Sequence, residues 1–168
     1  MKTRHNSATQ CVPALLMLVF LSSLTLAQEQ KRGSEKYLCT EPNPAAICTA
    51  ANTCGSASTP CTVEIKRTAD SASATPVLAK GKGNEPFCVK AGTTVTWKSA
   101  SKNTGFVLDF GPDSPFGTEA VMGGSDRASS TVANKKGCYR YSVGACVSGS
   151  IYGMCASIET ELIVTGSE

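Results

Sequence analysis

The eight cysteines in the last 130 residues constrain this chain more than any other feature of its sequence. A thiolate zinc site uses close cysteine pairs separated by two to four residues, and no two successive cysteines here are that close. An even number of cysteines in an exported chain predicts structural disulfides instead, because oxidising compartments form and keep them. The eight are Cys39, Cys48, Cys54, Cys61, Cys88, Cys138, Cys146 and Cys155.

The N-terminal segment predicts export. Lys2 and Arg4 precede an apolar run at 14–27, which is shorter than the roughly 20 residues that a membrane span needs. A basic start, a short apolar middle and small residues before a polar stretch are typical of a secretory signal peptide, here residues 1–27. The alternative is an uncleaved membrane anchor. We expect a secreted or periplasmic protein that has lost Cys11 and has no membrane span after cleavage.

The charge of the chain argues against a nucleic-acid partner. Of the 16 Lys+Arg residues, Lys2 and Arg4 lie in the signal, so the remaining chain carries 14 against 13 Asp+Glu. Basic residues occur at most in pairs, as at Lys135–Lys136. A nucleic-acid interface needs a concentrated basic face, and none is encoded.

After the signal, the sequence divides into two parts. Residues 28–61 form a charged tail and a cysteine-rich extension with too few large apolar side chains for a core of its own. We expect this extension to be stapled by disulfides, with a short helix near residues 45–55 that ends at a glycine. Residues 62–168 form the main domain.

The main domain is predicted to be an all-β sandwich or barrel. Apolar residues alternate with polar ones in "CTVEIKR", "TVTWKS" and "FVLDF", which is the period of half-buried strands. Further strands are predicted at "FCVK", "ASSTVAN", "CYRYSV" and "ELIVTG", whereas residues 71–86 and 111–127 read as long loops. Short strands separated by turn signals are typical of this fold class.

The stretches "CVKAGTTVTWKSASKNTGFVLDF", "GCYRYSV" and "ELIVTG" resemble the cupredoxins, the Greek-key sandwich of plastocyanin-type blue copper proteins. The resemblance covers about residues 62–166. It implies two imidazoles, a thiolate and an axial methionine at the positions of Phe106, Val143, Cys146 and either Ile151 or Met154. The imidazole and thiolate positions carry none of the required side chains, and the only histidine is His5, in the signal. We therefore expect a domain without copper.

Three alternatives stay open. A Cu(I) site could use Cys146, Met154 and Cys155, provided that the thiols are free, because sulfur ligands suit Cu(I). The carboxylates of Asp109, Asp113, Glu119 and Asp126 could bind Ca²⁺, although their spacing lacks a regular calcium-loop pattern. An enzyme of another type would need chemistry without histidine, and the "GGSD" at 123–126 is not a nucleophile elbow. We predict no catalytic residues and no cofactor.

The sequence suggests one pairing of the cysteines. Cys146 and Cys155 bracket the loop that would hold copper, and a bond between them would close it. Cys88 and Cys138 each stand at the start of a strand and could bridge strands. The four cysteines of the extension would then pair among themselves. We predict a monomeric binding or structural module that contacts a protein or surface ligand through the loops at 111–127 and 148–154.

Overall fold

In a computed structural model of the protein, the described residues form eleven β-strands and one short 3₁₀ helix. The structure describes Tyr37, Cys39 and residues 43–56, 58–78, 81–82, 86–154 and 160–166, all within one unit that spans Ser34–Glu168. The predicted signal peptide and Cys155 lie outside the described residues. The 3₁₀ helix is Pro44–Ile47, and the strands are β1 (Cys61–Thr68), β2 (Ser71–Leu78), β3 (Gly81–Lys82), β4 (Phe87–Lys90), β5 (Thr94–Ser99), β6 (Gly105–Asp109), β7 (Ala120–Gly124), β8 (Ser129–Val132), β9 (Gly137–Val147), β10 (Ser150–Tyr152) and β11 (Thr160–Thr165).

The strands form two mixed sheets that do not close into a barrel. One sheet has the order β3-β2-β1-β5-β8, and the other has the order β4-β11-β9-β6-β7, with β10 paired to β9. β1 runs parallel to β5 and β4 runs parallel to β11, whereas the other pairs are antiparallel. The all-β prediction is therefore confirmed, and no α-helix occurs in the described residues.

The inward faces of the two sheets form one hydrophobic core. The alternation in β1, β5 and β6 places every second side chain inward, as the sequence pattern predicts. Trp97 lies near the centre, with its ring 5.9 Å from that of Phe110 and 6.0 Å from that of Tyr141. Its indole N–H donates to the Thr131 hydroxyl at 3.1 Å, so the one polar atom of this large side chain is satisfied.

Four local predictions are wrong. The segment 71–86, predicted as a loop, contains β2 and β3, and the segment 111–127 contains β7. The loop at 148–154 contains β10, which pairs with the extended end of β9. The helix predicted at 45–55 is limited to one 3₁₀ turn that begins at a proline. In each case the residues are small or rich in glycine and proline, so they carry little apolar periodicity.

The disulfide pairing differs from the prediction, although six of the seven cysteines that the structure describes are bonded. The bonds are Cys39–Cys138, Cys48–Cys88 and Cys54–Cys61. The predicted Cys88–Cys138 bond is wrong because both residues lie opposite Ile163, one on each side of β11. That places them two strand spacings apart, about 10 Å, which exceeds the reach of a disulfide.

The remaining pairing predictions also change. The extension cysteines pair among themselves only at Cys54–Cys61, because Cys39 and Cys48 bond to strands of the main domain. Cys146 is a free cysteine, contrary to the predicted bond with Cys155. In the β9–β10 hairpin, the residue opposite Cys146 is Ile151.

Candidate functional site

An open groove of about 650 Å³ lies where β6 begins and β7 ends. It is lined by Asn103, Thr104, Gly105, Met122, Gly123, Gly124, Ser125, Asp126 and Arg127. The two walls are held together by hydrogen bonds: the Ser125 N–H donates to the Thr104 carbonyl at 3.1 Å, and the Asn103 N–H donates to the Ser125 hydroxyl at 3.1 Å. Asn103 has φ +55, a left-handed conformation that asparagine tolerates better than most residues.

Two glycines in the groove lining, Gly123 and Gly105, make contacts too close for a larger residue. A Cβ at Gly123 would lie 2.6 Å from the Phe106 ring, so a larger residue would displace a core aromatic. Gly105 lies opposite Cys146 across the β6–β9 pair, and a Cβ there would lie 3.3 Å from the Cys146 Cβ. Gly105 therefore lies between the groove and the free thiol of the neighbouring strand.

Parts of both predicted binding loops lie at the same end of the six-stranded sheet, on either side of Gly105. From the segment 111–127, only Met122–Arg127 line the groove. The segment 148–154 lies on the other side of Gly105, where Ile151 pairs with Cys146 and is 60% exposed. Met122, at 71% exposure, is the most exposed of the large apolar side chains that the structure describes.

The β9–β10 hairpin is anchored to the first sheet. The guanidinium of Arg67 lies 3.6 Å from the centroid of the Tyr152 ring, a cation–π contact. Gly153 has φ +98, and a Cβ there would lie 2.6 Å from the Val143 carbonyl and 2.7 Å from the Ala72 nitrogen. Only glycine fits this close approach of three backbones.

The positions that the cupredoxin resemblance assigns to copper ligands do not converge. Phe106 and Val143 are buried core side chains, at 2% and 4% exposure. Cys146 lies three residues after Val143 on the same continuous strand, so the two side chains point to opposite faces of the sheet.

Two of the sulfur ligands in the Cu(I) alternative share the outer face. A Cβ at Gly144 would lie 2.6 Å from the Met154 Cγ and 3.0 Å from its Sδ, so the thioether rests directly on the strand. Cys146 is two residues further along β9, on the same face. The third residue, Cys155, lies outside the described residues.

Two of the four carboxylates in the calcium alternative, Asp109 and Asp113, make separate contacts. Asp109 accepts hydrogen bonds from the Tyr37 hydroxyl at 2.6 Å and from the Gly111 N–H at 3.1 Å, while Asp113 pairs with Lys135 at 3.4 Å. In the described part of the chain, the one group of three potential metal ligands within 4.8 Å of one another is Cys39, Cys138 and Glu161. Its two sulfurs form a disulfide and are not available as thiolates.

The contacts of Tyr37 with the main domain were not predicted from the sequence. Burial, and then the hydrogen bond to Asp109, raise the pKa of its hydroxyl to about 12. The ring packs on Gly111, where a side chain would overlap it, and the Tyr37 carbonyl accepts from the Arg140 N–H at 2.8 Å. Burial also raises the pKa of Tyr139, whose hydroxyl donates to the Lys135 carbonyl at 2.9 Å.

Comparison with known proteins assigns no family. No protein-family model matches the chain, and no curated protein matches it either. Among the described residues, no helix has the length and apolar character required to cross a membrane.

Proposed function

We propose that this protein is a secreted, disulfide-bonded, cupredoxin-like module that has lost copper binding and has a binding or structural role. The observation that carries the proposal is the groove between Asn103–Gly105 and Met122–Arg127, whose lining includes the exposed apolar side chain of Met122. A concave, partly apolar surface with a few polar groups is the usual form of a binding site. Its ligand would be a protein segment or a surface ligand, and no catalytic step is assigned to it.

Three observations support the rest of the proposal. The mixed two-sheet architecture and the aromatic core around Trp97 are compatible with a cupredoxin-like domain. Phe106 and Val143 are used for core packing, and the chain's one histidine lies in the predicted signal. Three disulfides are compatible with an oxidising, extracellular or periplasmic compartment.

The copper-free part is tested by metal analysis and visible absorbance of protein purified from its native compartment. We expect substoichiometric copper and no visible band. Stoichiometric copper would overturn the proposal.

The binding part is tested with a photo-crosslinking residue at Ser125, in the groove, and at Ser73, an exposed position on β2 that serves as the matched control. We expect one defined cross-linked product from position 125 in the native compartment and none from position 73. Equal cross-linking at the two positions would contradict a role for the groove.

A copper electron carrier with a sulfur-based site is the second candidate. It is favoured by the free thiol of Cys146 on the same face as the Met154 thioether. The test is competition for Cu(I) against a chromophoric chelator. This candidate requires that Cys146→Ser and Met154→Leu each weaken Cu(I) binding, whereas Met122→Leu leaves it unchanged. Absence of Cu(I) binding by the wild-type protein would remove it.

A further inference from the structure

Three dipeptides in the chain join a hydroxyl residue to a following proline: Thr59–Pro60, Thr75–Pro76 and Ser114–Pro115. Segments that combine serine and threonine with proline are typical acceptors of O-linked sugars in exported proteins. The proline also biases the residue before it towards an extended backbone, which presents its side chain. The three dipeptides differ in how far the fold exposes them.

Of the three, Thr59–Pro60 alone is exposed at both residues. The Thr75–Pro76 pair lies within strand β2, and its proline is buried. In the Ser114–Pro115 pair the proline is also buried, and the serine hydroxyl accepts the Phe116 N–H at 3.2 Å. A modifying enzyme therefore has access to the first dipeptide without unfolding any strand.

A disulfide and a turn order the loop that carries Thr59. The Cys54–Cys61 bond closes this loop at its base. Within it, the Ser56 N–H donates to the Thr59 carbonyl at 2.7 Å, and the Ser56 hydroxyl accepts from the Thr59 N–H at 3.1 Å. Both backbone groups of Thr59 are thus bonded inside the loop. An ordered loop loses less conformational entropy when another protein binds it.

The Thr59 hydroxyl has no hydrogen-bond partner among the described residues, whereas the neighbouring hydroxyls are engaged. The Thr53 hydroxyl donates to the Thr49 carbonyl at 2.7 Å. The hydroxyls of Ser56 and Ser58 share a hydrogen bond at 3.3 Å. A reaction at the Thr59 oxygen therefore breaks no hydrogen bond of the described structure.

Thr59 also lines a second open groove, of about 430 Å³. The lining residues are Thr53, Gly55, Ser56, Thr59, Pro60, Val77 and Leu78. None of these side chains is charged. Pro60 and Val77 supply apolar surface, and Val77 is 43% exposed although it is large and apolar. A neutral sugar ring has apolar C–H faces and polar hydroxyls, which matches a groove with apolar walls and a few hydroxyl groups.

We propose that Thr59 carries an O-linked sugar, added during export, and that the first sugar ring lies in this second groove over Pro60 and Val77. The Thr59 Oγ1 attacks the anomeric carbon of a nucleotide- or lipid-linked sugar phosphate, held by a glycosyltransferase of the export pathway. A bond forms between Oγ1 and that carbon, and the sugar–phosphate bond breaks. The phosphate leaves with the electron pair, and the transferase takes up the hydroxyl proton. This inference rests on the proposed export of the protein and not on the groove beside β7.

The first test is peptide mass mapping, with electron-transfer fragmentation, of protein purified from its native compartment. We expect a sugar on Thr59 and none on Thr75, and the mass increment distinguishes a hexose from an N-acetylhexosamine. An unmodified Thr59, or equal modification of Thr75, overturns the inference. An exported but unmodified protein that still cross-links specifically from Ser125 would leave the proposed function standing.

The second test uses variants that leave the core intact. Thr59→Ala should abolish the increment in the intact mass, whereas Thr59→Ser keeps a hydroxyl and should retain it. Thr75→Ala, before the same following residue, is the matched control and should leave the increment unchanged. Pro60→Ala should lower the modified fraction, because the bias of Thr59 towards an extended backbone is lost. Persistence of the sugar in Thr59→Ala would refute the assignment.

The third test locates the sugar ring. In the modified protein, we expect nuclear Overhauser contacts between the ring protons of the first sugar and the methyl groups of Val77. The exposed methyl groups of Val132, on strand β8, serve as the control and should show none. Absence of contacts to Val77 would overturn the placement of the ring in the groove.

Discussion

The two edges of the six-stranded sheet end in opposite ways. At β4, the chain segment Asn52–Cys54 adds backbone hydrogen bonds, and the Cys48–Cys88 disulfide ties that segment in place. At β7, two outward backbone groups are bonded by neighbours along the chain: the Gly124 N–H donates to the Arg127 carbonyl, and the Ala120 carbonyl accepts from the Thr118 hydroxyl. Met122, between them, is largely exposed. In the described residues, the N-terminal extension therefore protects the β4 edge by pairing, whereas the β7 edge is protected locally and leaves one large apolar side chain exposed.

The largest effect is expected from removal of the disulfide that holds the N-terminal extension on the β4 edge. The double change Cys48→Ser and Cys88→Ser opens a 40-residue loop and should lower the free energy of unfolding by about 4 kcal/mol. The matched change at Cys54 and Cys61, which opens a separation of 7 residues, should cost about 2 kcal/mol. Urea unfolding measures both, and a larger loss from the short loop would contradict the expected order.

The second prediction concerns the ring of Tyr37, which lies in the N-terminal extension, as Asn52–Cys54 does. Gly111→Ala adds a methyl group that overlaps this ring, and Gly111 already has φ +66. We expect a loss of stability of about 1–3 kcal/mol from overpacking and strain. Gly117, at φ +71 with nothing within 4 Å, is the control for strain alone. Equal thermal shifts for Gly111→Ala and Gly117→Ala would show that Tyr37 does not pack there.

The third prediction uses the raised pKa of Tyr37. Because the folded pKa of about 12 lies above the unfolded value of 10.0, the contact stabilises fully below pH 10 and is lost as pH rises through 12. Tyr37→Phe should lower stability by about 1 kcal/mol at neutral pH, the typical net value of a hydrogen bond. The gap between wild type and variant should close above pH 10 in denaturant titrations. A gap that is constant with pH would argue against the bond to Asp109.

The smallest effect is expected at the β9–β10 hairpin, which belongs to the same sheet as the edge strand β7. Arg67→Ala removes the cation–π contact with Tyr152 and should cost about 0.5 kcal/mol, the value for partly exposed pairs. The amide protons of the β9–β10 hairpin should then exchange faster, while those of β4 keep their rates. Unchanged exchange in the hairpin would show that the arginine does not anchor it.

The parts of the fold that were predictable are those with large apolar side chains at alternate positions. Strands β1, β5 and β6 carry Val, Ile, Trp, Phe and Leu on one face, which the sequence shows directly. Strand β2 was missed because its inward residues include Ala74 and Pro76, which are too small or too unusual in strands to give the pattern. Strand β7 was missed because its two glycines resemble a loop.

The site was predictable only in part, because it depends on register. The sequence pointed to 111–127 and 148–154, but the groove is made of Met122–Arg127 against Asn103–Gly105. The prediction of the disulfide pairing was wrong for the same reason. Cys88 and Cys138 lie on either side of β11, and this placement depends on the strand order. Two sequence features could have indicated the groove. They are the glycine pair at Gly123 and Gly124 in a predicted loop, and the Asn-Thr-Gly of Asn103–Gly105 before a predicted strand.

The three disulfides are nested along the chain: Cys54–Cys61 lies inside Cys48–Cys88, which lies inside Cys39–Cys138. A chain delivered from its N-terminus therefore presents the partners in an order that lets each bond close around the previous one. Synthesis at about 5–20 residues per second would leave Cys39 waiting for several seconds until Cys138 arrives. Cys146 follows only eight residues after Cys138, so a delay in closing the outermost bond gives Cys39 a competing partner at the moment when the last strands are assembled.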